Sequence, residues 1–349
     1  CETMRVLITG HTGYIGARLV PMALKAGHDV VGYDTDLFSE CTFQGRLADV
    51  PHIHKDIRDA SASDLQGIDA IIHLAALSND PLGDYNPGLT EEINADASIR
   101  LAELARDAGV SRFLFASSCS NYGAAGSDFM TEDAPLNPIT AYGISKVAVE
   151  KAVSELATDG FTPVFMRAST AYGLSPRIRF DLVINNLTAW AATTGRVLIK
   201  SDGTPWRPVV HVSDICRAYL AGLTAPKEAI HNQAFNIGLT TENYQVRDLA
   251  QIVADVVPDC EVEIAADAAP DARCYRVDCN RIAMELPGFR PQWTAERGVA
   301  ELYEAYKRVG LKLEDFEGER YKRIAHVKRL IASGRLNTSL RWTDQADAA

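Results

Sequence analysis

Tyr142 and Lys146 are the two residues of this chain whose types and spacing most clearly suggest chemistry. They fall at the start of a segment with helical periodicity, 141–157, where a four-residue step places two side chains on one face, one turn apart. An ammonium group beside a phenol favours the phenolate, so Lys146 is predicted to lower the pKa of Tyr142 from about 10. We therefore expect the pair to provide a general base for an alcohol proton.

A serine-rich segment supplies hydroxyl groups that could complete such a site. It spans 117–123 and directly follows an apolar strand predicted at 112–116. Ligands of parallel sheets bind at the carboxyl ends of the strands, so these hydroxyls are predicted to lie at the ligand-binding edge. One of these hydroxyls, together with Tyr142 and Lys146, would complete a candidate group for oxidising a hydroxyl by hydride transfer.

A glycine-rich turn follows the first predicted strand and indicates where a dinucleotide would bind. Gly10, Gly13 and Gly16 are spaced by three residues and lead into a helix. Glycine lets the backbone approach a ligand closely, and a helix N-terminus attracts a diphosphate. Asp34 ends the second predicted strand, where a carboxylate binds ribose hydroxyls and repels a 2′-phosphate. This pattern predicts NAD rather than NADP as the cofactor.

The order of elements predicts how these residues are positioned. Strand-like and helical segments alternate through the first half of the chain, and this predicts an α/β fold of Rossmann type, a doubly wound parallel sheet covered by helices. A smaller C-terminal α/β substrate lobe is expected to follow, with a helix predicted at 243–257. The predicted organisation is an NAD-binding domain at 4–175, a substrate lobe interleaved with it at 176–300, and a mostly helical extension at 301–349.

Composition excludes several other classes of protein. A net charge of −11 disfavours a nucleic-acid partner, because the overall field repels a polyanion. No apolar run approaches the roughly 18 residues that would span a bilayer, so no membrane association is expected. The seven cysteines form no Cys-x-x-Cys pair, which predicts free thiols, no metal site and a cytoplasmic location.

Taken together, these motifs resemble the extended short-chain dehydrogenase/reductases of the NAD-dependent nucleotide-sugar epimerase/dehydratase family. The resemblance covers roughly residues 4–300 and implies a nucleotide-sugar substrate, a transient keto sugar and a homodimer. It identifies Ser118 as the catalytic hydroxyl, four positions before Tyr122. It also implies a set of cofactor contacts: Gly10, Gly13, Tyr14, Ile15, Gly16, Asp34, Asp56, Ile57, Leu74, Ala75, Ala76, Tyr142 and Lys146.

The resemblance is less specific about the substrate. Arg207 is the best candidate for the nucleotide diphosphate, because its planar guanidinium offers several donors. Thr170 stands where many relatives have an asparagine that holds the substrate. The full set of residues predicted to bind substrate is Ser78, Ser118, Ser120, Thr170, Arg177, Arg179, Asn185, Arg207 and Arg273.

The family pattern breaks just after Ser118, and this break bears on the reaction. The 4,6-dehydratases that the chain resembles carry Asp-Glu there as acid and base, whereas this chain has Cys119 and Ser120. Cys119 is retained as a candidate acid or base, although a buried filler is the favoured interpretation. By elimination, C4 epimerisation is the expected reaction. A dehydratase, a decarboxylase, a net ketoreductase and a non-catalytic dinucleotide sensor remain alternatives, and the C-terminal extension could cap the substrate lobe or join a dimer.

Overall fold

The computed structural model describes residues 3–78, 80–265 and 274–343. Its strands are β1 (Arg5–Thr9), β2 (Asp29–Asp34), β3 (His52–His54), β4 (Ala70–His73), β5 (Arg112–Ser118), β6 (Ala124–Met130), β7 (Thr162–Ala168), β8 (Thr170–Tyr172), β9 (Arg196–Ile199), β10 (Trp206–His211), β11 (Gln233–Ile237), β12 (Asn243–Gln245), β13 (Glu261–Ile264) and β14 (Cys274–Val277). Its helices are α1 (Gly16–Lys25), α2 (Asp80–Tyr85), α3 (Pro87–Thr90), α4 (Ala97–Asp107), α5 (Ala141–Ser154), α6 (Val183–Thr194), α7 (Val212–Thr224), α8 (Lys227–Ile230), α9 (Val246–Val256), α10 (Asn280–Glu285), α11 (Ala295–Val309), α12 (Leu313–Phe316) and α13 (Arg323–Ala332).

The central sheet confirms the predicted Rossmann-type fold. Seven strands pair in the order β11-β7-β5-β4-β1-β2-β3, and every pair is parallel. The strands carry buried apolar residues on both faces, as expected for a sheet covered by helices on each side. The strand order reverses between β1 and β4, and a ligand cleft is expected at the carboxyl ends of these strands.

The chain after residue 176 contributes to this sheet and also forms smaller sheets beside it. Strand β11, from the predicted substrate-lobe range, forms one edge of the central sheet beside β7. The remaining strands form small sheets, β12-β10-β8, β13-β9 and β14-β6. The predicted helix at 243–257 is wrong at its start: residues 243–245 form β12, antiparallel to β10. The edge of β10 recruits these three residues, and the helix then begins at Val246 behind a capping box of Gln245 and Asp248.

The C-terminal extension packs against both parts of the molecule. Helix α11 joins the apolar core of the second lobe, together with α6 and α9. The segment that follows turns back, and Val327, Leu330, Leu336 and Leu340 join the core around β2 and α2. No helix among the described residues is long and apolar enough to cross a membrane.

Candidate active site

One large cleft, of about 1020 Å³, runs along the carboxyl ends of the central strands. It brings together most of the predicted site residues, although they lie far apart in the sequence. Those that line it are Gly10, Gly13, Tyr14, Ile15, Gly16, Asp34, Asp56, Ile57, Leu74, Ala75, Ala76, Ser78, Ser118, Ser120, Tyr142, Lys146, Thr170, Arg179 and Arg207.

The glycine turn between β1 and α1 forms the floor of the cleft. Gly10 has φ of 69°, and a Cβ there would lie 2.8 Å from the backbone nitrogen of Ala75, in the loop that follows the neighbouring strand β4. A Cβ on Gly16 would lie 2.3 Å from the carbonyl oxygen of Gly10. Side chains at these two positions would push the helix away from the sheet. Helix α1 begins without a side-chain cap, and its first residues, Ile15 and Gly16, line the cleft, where the positive end of the helix dipole favours a diphosphate.

The adenosine end of the cleft is arranged around two aspartates. The Asp34 carboxylate accepts hydrogen bonds from the backbone N–H groups of Thr12, at 3.1 Å, and Asp36, at 3.0 Å. Asp56 is bound by Arg58, with its two oxygens 2.9 and 2.7 Å from Nε and Nη2. Burial opposes the charge of Asp56, but the bonds from Arg58 outweigh it and lower its pKa. These fixed carboxylates, with the glycine turn, fit a dinucleotide that has free ribose hydroxyls.

Ser118, Tyr142 and Lys146 meet at the other end of the cleft. Strand β5 ends at Ser118, whose hydroxyl lies 2.8 Å from that of Ser120 and hydrogen-bonds with Tyr142. Helix α5 begins with Thr140 as its N-cap, and this start places Tyr142 and Lys146 on the face turned toward β5. The Lys146 Nζ atom lies 4.7 Å from the ring centre of Phe115 and 5.4 Å from that of Tyr142.

The electrostatics of this pair differ from the prediction. Burial raises the pKa of Tyr142 to about 12, and this outweighs the lowering by Arg179 and by the hydrogen bond with Ser118. Burial also lowers the pKa of Lys146 to about 7, despite the favourable charge of Glu150. The prediction that Lys146 lowers the pKa of Tyr142 from about 10 is therefore wrong for the nucleotide-free protein. A half-neutral ammonium in an apolar environment supplies too little charge to offset the burial of the phenol.

A buried ion pair lies behind the site, and the sequence motifs did not predict it. Glu150, two turns after Tyr142 on α5, binds Arg167 of β7 with Oε2 2.6 Å from Nη2. The same carboxylate accepts hydrogen bonds from Ser117 and from Asn121, the latter at 3.2 Å. This network joins α5 to the ends of β5 and β7 and so fixes Ser118 relative to Tyr142. The i, i+4 spacing of Lys146 and Glu150, which places a carboxylate one turn after the lysine on the same helix face, is the sequence feature that could have indicated this buried carboxylate.

Two further buried side chains hold the loop after β4. The His73 imidazole lies 2.6 Å from Thr9 Oγ1 and 2.7 Å from Ser98 Oγ, and Thr9 in turn accepts a hydrogen bond from the Leu74 N–H. Asn94 accepts from the N–H of Leu77 at 2.8 Å and donates to its carbonyl oxygen at 3.1 Å. Both side chains are buried and neither lines the cleft, so they position the cleft-lining segment 74–78 from behind.

The substrate side of the cleft carries two arginines. Arg179 binds Asp181 through two hydrogen bonds and also donates to the hydroxyl and the carbonyl oxygen of Ser78, both at 3.1 Å. Arg207 lines the cleft from β10 and donates to the carbonyl oxygen of Trp206 at 2.9 Å. Both arginines therefore lie at the cleft wall.

Three predicted site residues lie outside the cleft. Cys119 is fully buried beneath it, where its thiol donates to the carbonyl oxygen of Arg167 and where burial raises its pKa. This placement contradicts a role as acid or base and agrees with a buried filler. Arg177 donates to the carbonyl oxygen of Phe38. Asn185 bonds to the N–H of Gly173 and to the carbonyl oxygen of Arg179. The latter two therefore position the wall and do not form it, because their polar groups are turned into the protein.

Two further predictions concern Arg273 and metal binding. Arg273 lies outside the described residues. Within the described ranges, no group of three or more His, Cys, Asp or Glu side chains is arranged to hold a metal ion.

Comparison with known proteins gives relatives over nearly the whole chain. The model of the NAD dependent epimerase/dehydratase family matches residues 6–238. A UDP-glucose 4-epimerase of Mycolicibacterium smegmatis is 32% identical over 324 residues, which cover 87% of this chain and 99% of that protein. A UDP-glucose 4-epimerase of Corynebacterium glutamicum is 27% identical over 85% of this chain and 94% of its own.

Solved structures share the same architecture. The dTDP-glucose 4,6-dehydratase DesIV from Streptomyces venezuelae, with NAD and TYD bound, has a TM-score of 0.74 and 27% identity, covering 87% of this chain and 97% of its own. MoeE5 in complex with UDP-glucose and NAD has a TM-score of 0.73 and 28% identity, covering 88% of this chain and 100% of its own.

Proposed function

This chain belongs to the NAD-dependent epimerase/dehydratase family, and from that premise we propose that it inverts C4 of a nucleotide-bound sugar. The observation that carries the proposal is the geometry after Ser118. The two positions where dehydratases carry an acid and a base hold Cys119, buried outside the cleft, and Ser120, hydrogen-bonded to Ser118. C4 inversion requires no such pair, because the carbon is oxidised and then reduced on its opposite face.

The proposed reaction assigns one role to each polar group. The Tyr142 phenol takes the proton of the sugar hydroxyl and later returns it, while the Ser118 hydroxyl holds the same oxygen. Bound NAD supplies the acceptor and later the donor of the hydride, and its oxidised nicotinamide carries a positive charge. Lys146 is placed to bind a ribose hydroxyl and to add positive charge near the phenol. The substrate leaves with the same oxidation state, so no external reductant is consumed.

The raised pKa of Tyr142 sets a condition on this mechanism. A phenol with a pKa of about 12 is protonated at neutral pH and cannot take a proton. We therefore expect its pKa to fall when the cleft is loaded, because positive charge then lies close to a buried phenolate. A spectroscopic titration of tyrosine ionisation with and without NAD measures this change. An unaltered Tyr142 pKa in the loaded protein would remove the assigned base.

The choice of the first substrate to test is based on the names of the related enzymes. Those named above are UDP-glucose 4-epimerases, so a UDP-hexose is the first compound to test. We propose that Arg179 and Arg207 bind its diphosphate from the cleft wall, with Thr170 and Ser120 near the sugar. Thr170 replaces the asparagine of many relatives and offers a shorter hydrogen-bonding group there.

The test is a reaction in D₂O with UDP-glucose, UDP-galactose, UDP-glucuronic acid and dTDP-glucose, followed by NMR. C4 inversion gives the epimer without added cofactor and without deuterium in the sugar. A 4,6-dehydratase would instead incorporate deuterium and form a 4-keto-6-deoxy sugar, and a ketoreductase would require added reductant. Tyr142→Phe should lower kcat by about 10²- to 10⁴-fold and still bind NAD. Tyr303→Phe on α11, outside the cleft, is the control.

We also propose that the protein is a cytoplasmic homodimer. What supports a dimer is the solvent-facing side of α5, where Ile144 is 56% exposed next to α4. What supports the location is the thiol state, because Cys41, Cys119, Cys216, Cys260 and Cys279 form no disulfide. Light scattering measures the assembly, and Ile144→Lys should shift it toward the monomer.

A further inference from the structure

The C-terminal extension reaches across the adenosine end of the cleft. On one side, the Trp342 indole donates to the carbonyl oxygen of Thr35 at 2.6 Å, and His326 donates to that of Leu37 at 3.0 Å. On the other side, α13 packs against α2, with Lys328 Nζ 5.7 Å from the ring centre of Tyr85. The segment 323–343 therefore forms a strap over the cleft, outside the family match that ends at residue 238.

Two residues of this strap line the cleft itself, Arg323 and Leu340. Arg323 is only 6% exposed, and its guanidinium carbon lies 4.5 Å from the ring centre of Phe38. Its Nη2 atom donates to the carbonyl oxygens of Arg177 and Ile178, at 3.2 and 3.3 Å. Its Nη1 atom is buried and has no hydrogen-bond partner among the described residues.

The charge of Arg323 is also poorly compensated. The carboxylate whose charge acts on it, Asp181, is already bound by Arg179 in two hydrogen bonds. The thiol of Cys41 hydrogen-bonds with Arg323, but burial raises the pKa of this thiol, so it remains neutral at pH 7 and supplies no counter-charge. A buried cation with an unused donor is costly unless an anion joins it. The cleft that Arg323 lines is where such an anion can enter.

We propose that Arg323 binds the diphosphate of the bound dinucleotide, so that the strap holds the cofactor in place. The position of Arg323 favours the cofactor over the substrate as the source of the diphosphate. Its guanidinium lies on Phe38, which follows the Asp34 end of β2, and the strap is hydrogen-bonded to Thr35 and Leu37 in the same loop. The inference depends on the cofactor of the family and is independent of the proposed C4 reaction.

The experiment measures binding by calorimetry on full-length protein freed of nucleotide, with NAD, ADP-ribose and UDP as separate probes. Arg323→Gln should raise the Kd for NAD and ADP-ribose by about 10- to 100-fold, the range expected for losing a hydrogen bond from a charged donor to phosphate. The Kd for UDP should stay unchanged. Arg323→Lys, which keeps the charge but loses the planar fork, should recover part of the affinity. The control is Arg320→Gln, which changes an exposed arginine of the same extension and should leave the Kd values for NAD, ADP-ribose and UDP unchanged.

Other outcomes would overturn the proposal. A weaker Kd for UDP with an unchanged Kd for NAD would assign Arg323 to the substrate. If the Kd values for NAD and UDP are both unchanged, Arg323 serves only as a structural contact with the carbonyl oxygens of Arg177 and Ile178. Hydrogen exchange of the wild-type protein needs no variant: NAD should slow exchange in 323–332, and UDP should not. Equal exchange with and without NAD would refute the strap even if Arg323→Gln does not fold.

Discussion

The ion pair between Glu150 and Arg167 offers the sharpest test of how the site is held together. Both side chains are buried, with 6% and 5% of their surface exposed. Glu150→Gln keeps the shape and one acceptor oxygen but leaves the guanidinium of Arg167 without a counter-charge. Removing one partner of a buried pair costs about 3–5 kcal/mol, and we expect about 3 kcal/mol because the amide still accepts a hydrogen bond. With an unfolding entropy of about 0.7 kcal/mol/K for a chain of this length, Tm falls by about 4 °C.

The assay is calorimetric unfolding of the variant beside two controls. Glu155→Gln, at the exposed C-terminal end of α5, should change Tm by less than about 1 °C. The double variant Glu150→Gln with Arg167→Gln should recover part of the lost stability, because the buried charge is then gone. If Glu150→Gln unfolds at the temperature of Glu155→Gln, the ion pair does not hold β5, β7 and α5 together. The explanation of how Ser118 is positioned would then be refuted.

Three more predictions follow from buried groups of the site. Cys119→Ala should keep kcat/KM within about threefold, because the thiol lies outside the cleft, whereas a hundredfold loss would restore it as an acid or base. The pKa of Lys146 is lowered to about 7 in the folded protein, so the unfolded state binds more protons above pH 7. The stability of the nucleotide-free protein should therefore rise by about 2 kcal/mol from pH 7 to pH 9. Denaturation of Lys146→Met should show no such rise, and an identical pH dependence would contradict the lowered pKa. Asn94→Ala leaves the backbone of Leu77 without both hydrogen bonds, and urea unfolding should show a loss of about 2 kcal/mol.

The local pattern of the sequence was enough to predict the central fold and most of the residues that meet at the cleft. Alternation of apolar strands and helices, ended by glycines, requires a parallel sheet, and the seven observed parallel strands agree. The glycine turn and Asp34 lie next to each other because neighbouring strands β1 and β2 end at the same edge. Likewise, the four-residue step of Tyr142 and Lys146 fixes their common face on α5. These features depend on short-range geometry, which the spacing of residues determines.

Only the tertiary structure decided features that depend on burial and on distant contacts. Burial raises the pKa of Tyr142 and lowers that of Lys146, and no spacing along the chain reports the depth of a side chain. Cys119 lies one residue from Ser118, yet its thiol is buried beneath the cleft. The strap brings Arg323 to Phe38 across nearly the whole length of the chain, a contact made by packing of apolar side chains without a periodic signal. Sequence therefore determined which polar residues come together at the cleft, and packing determined their charge states and neighbours.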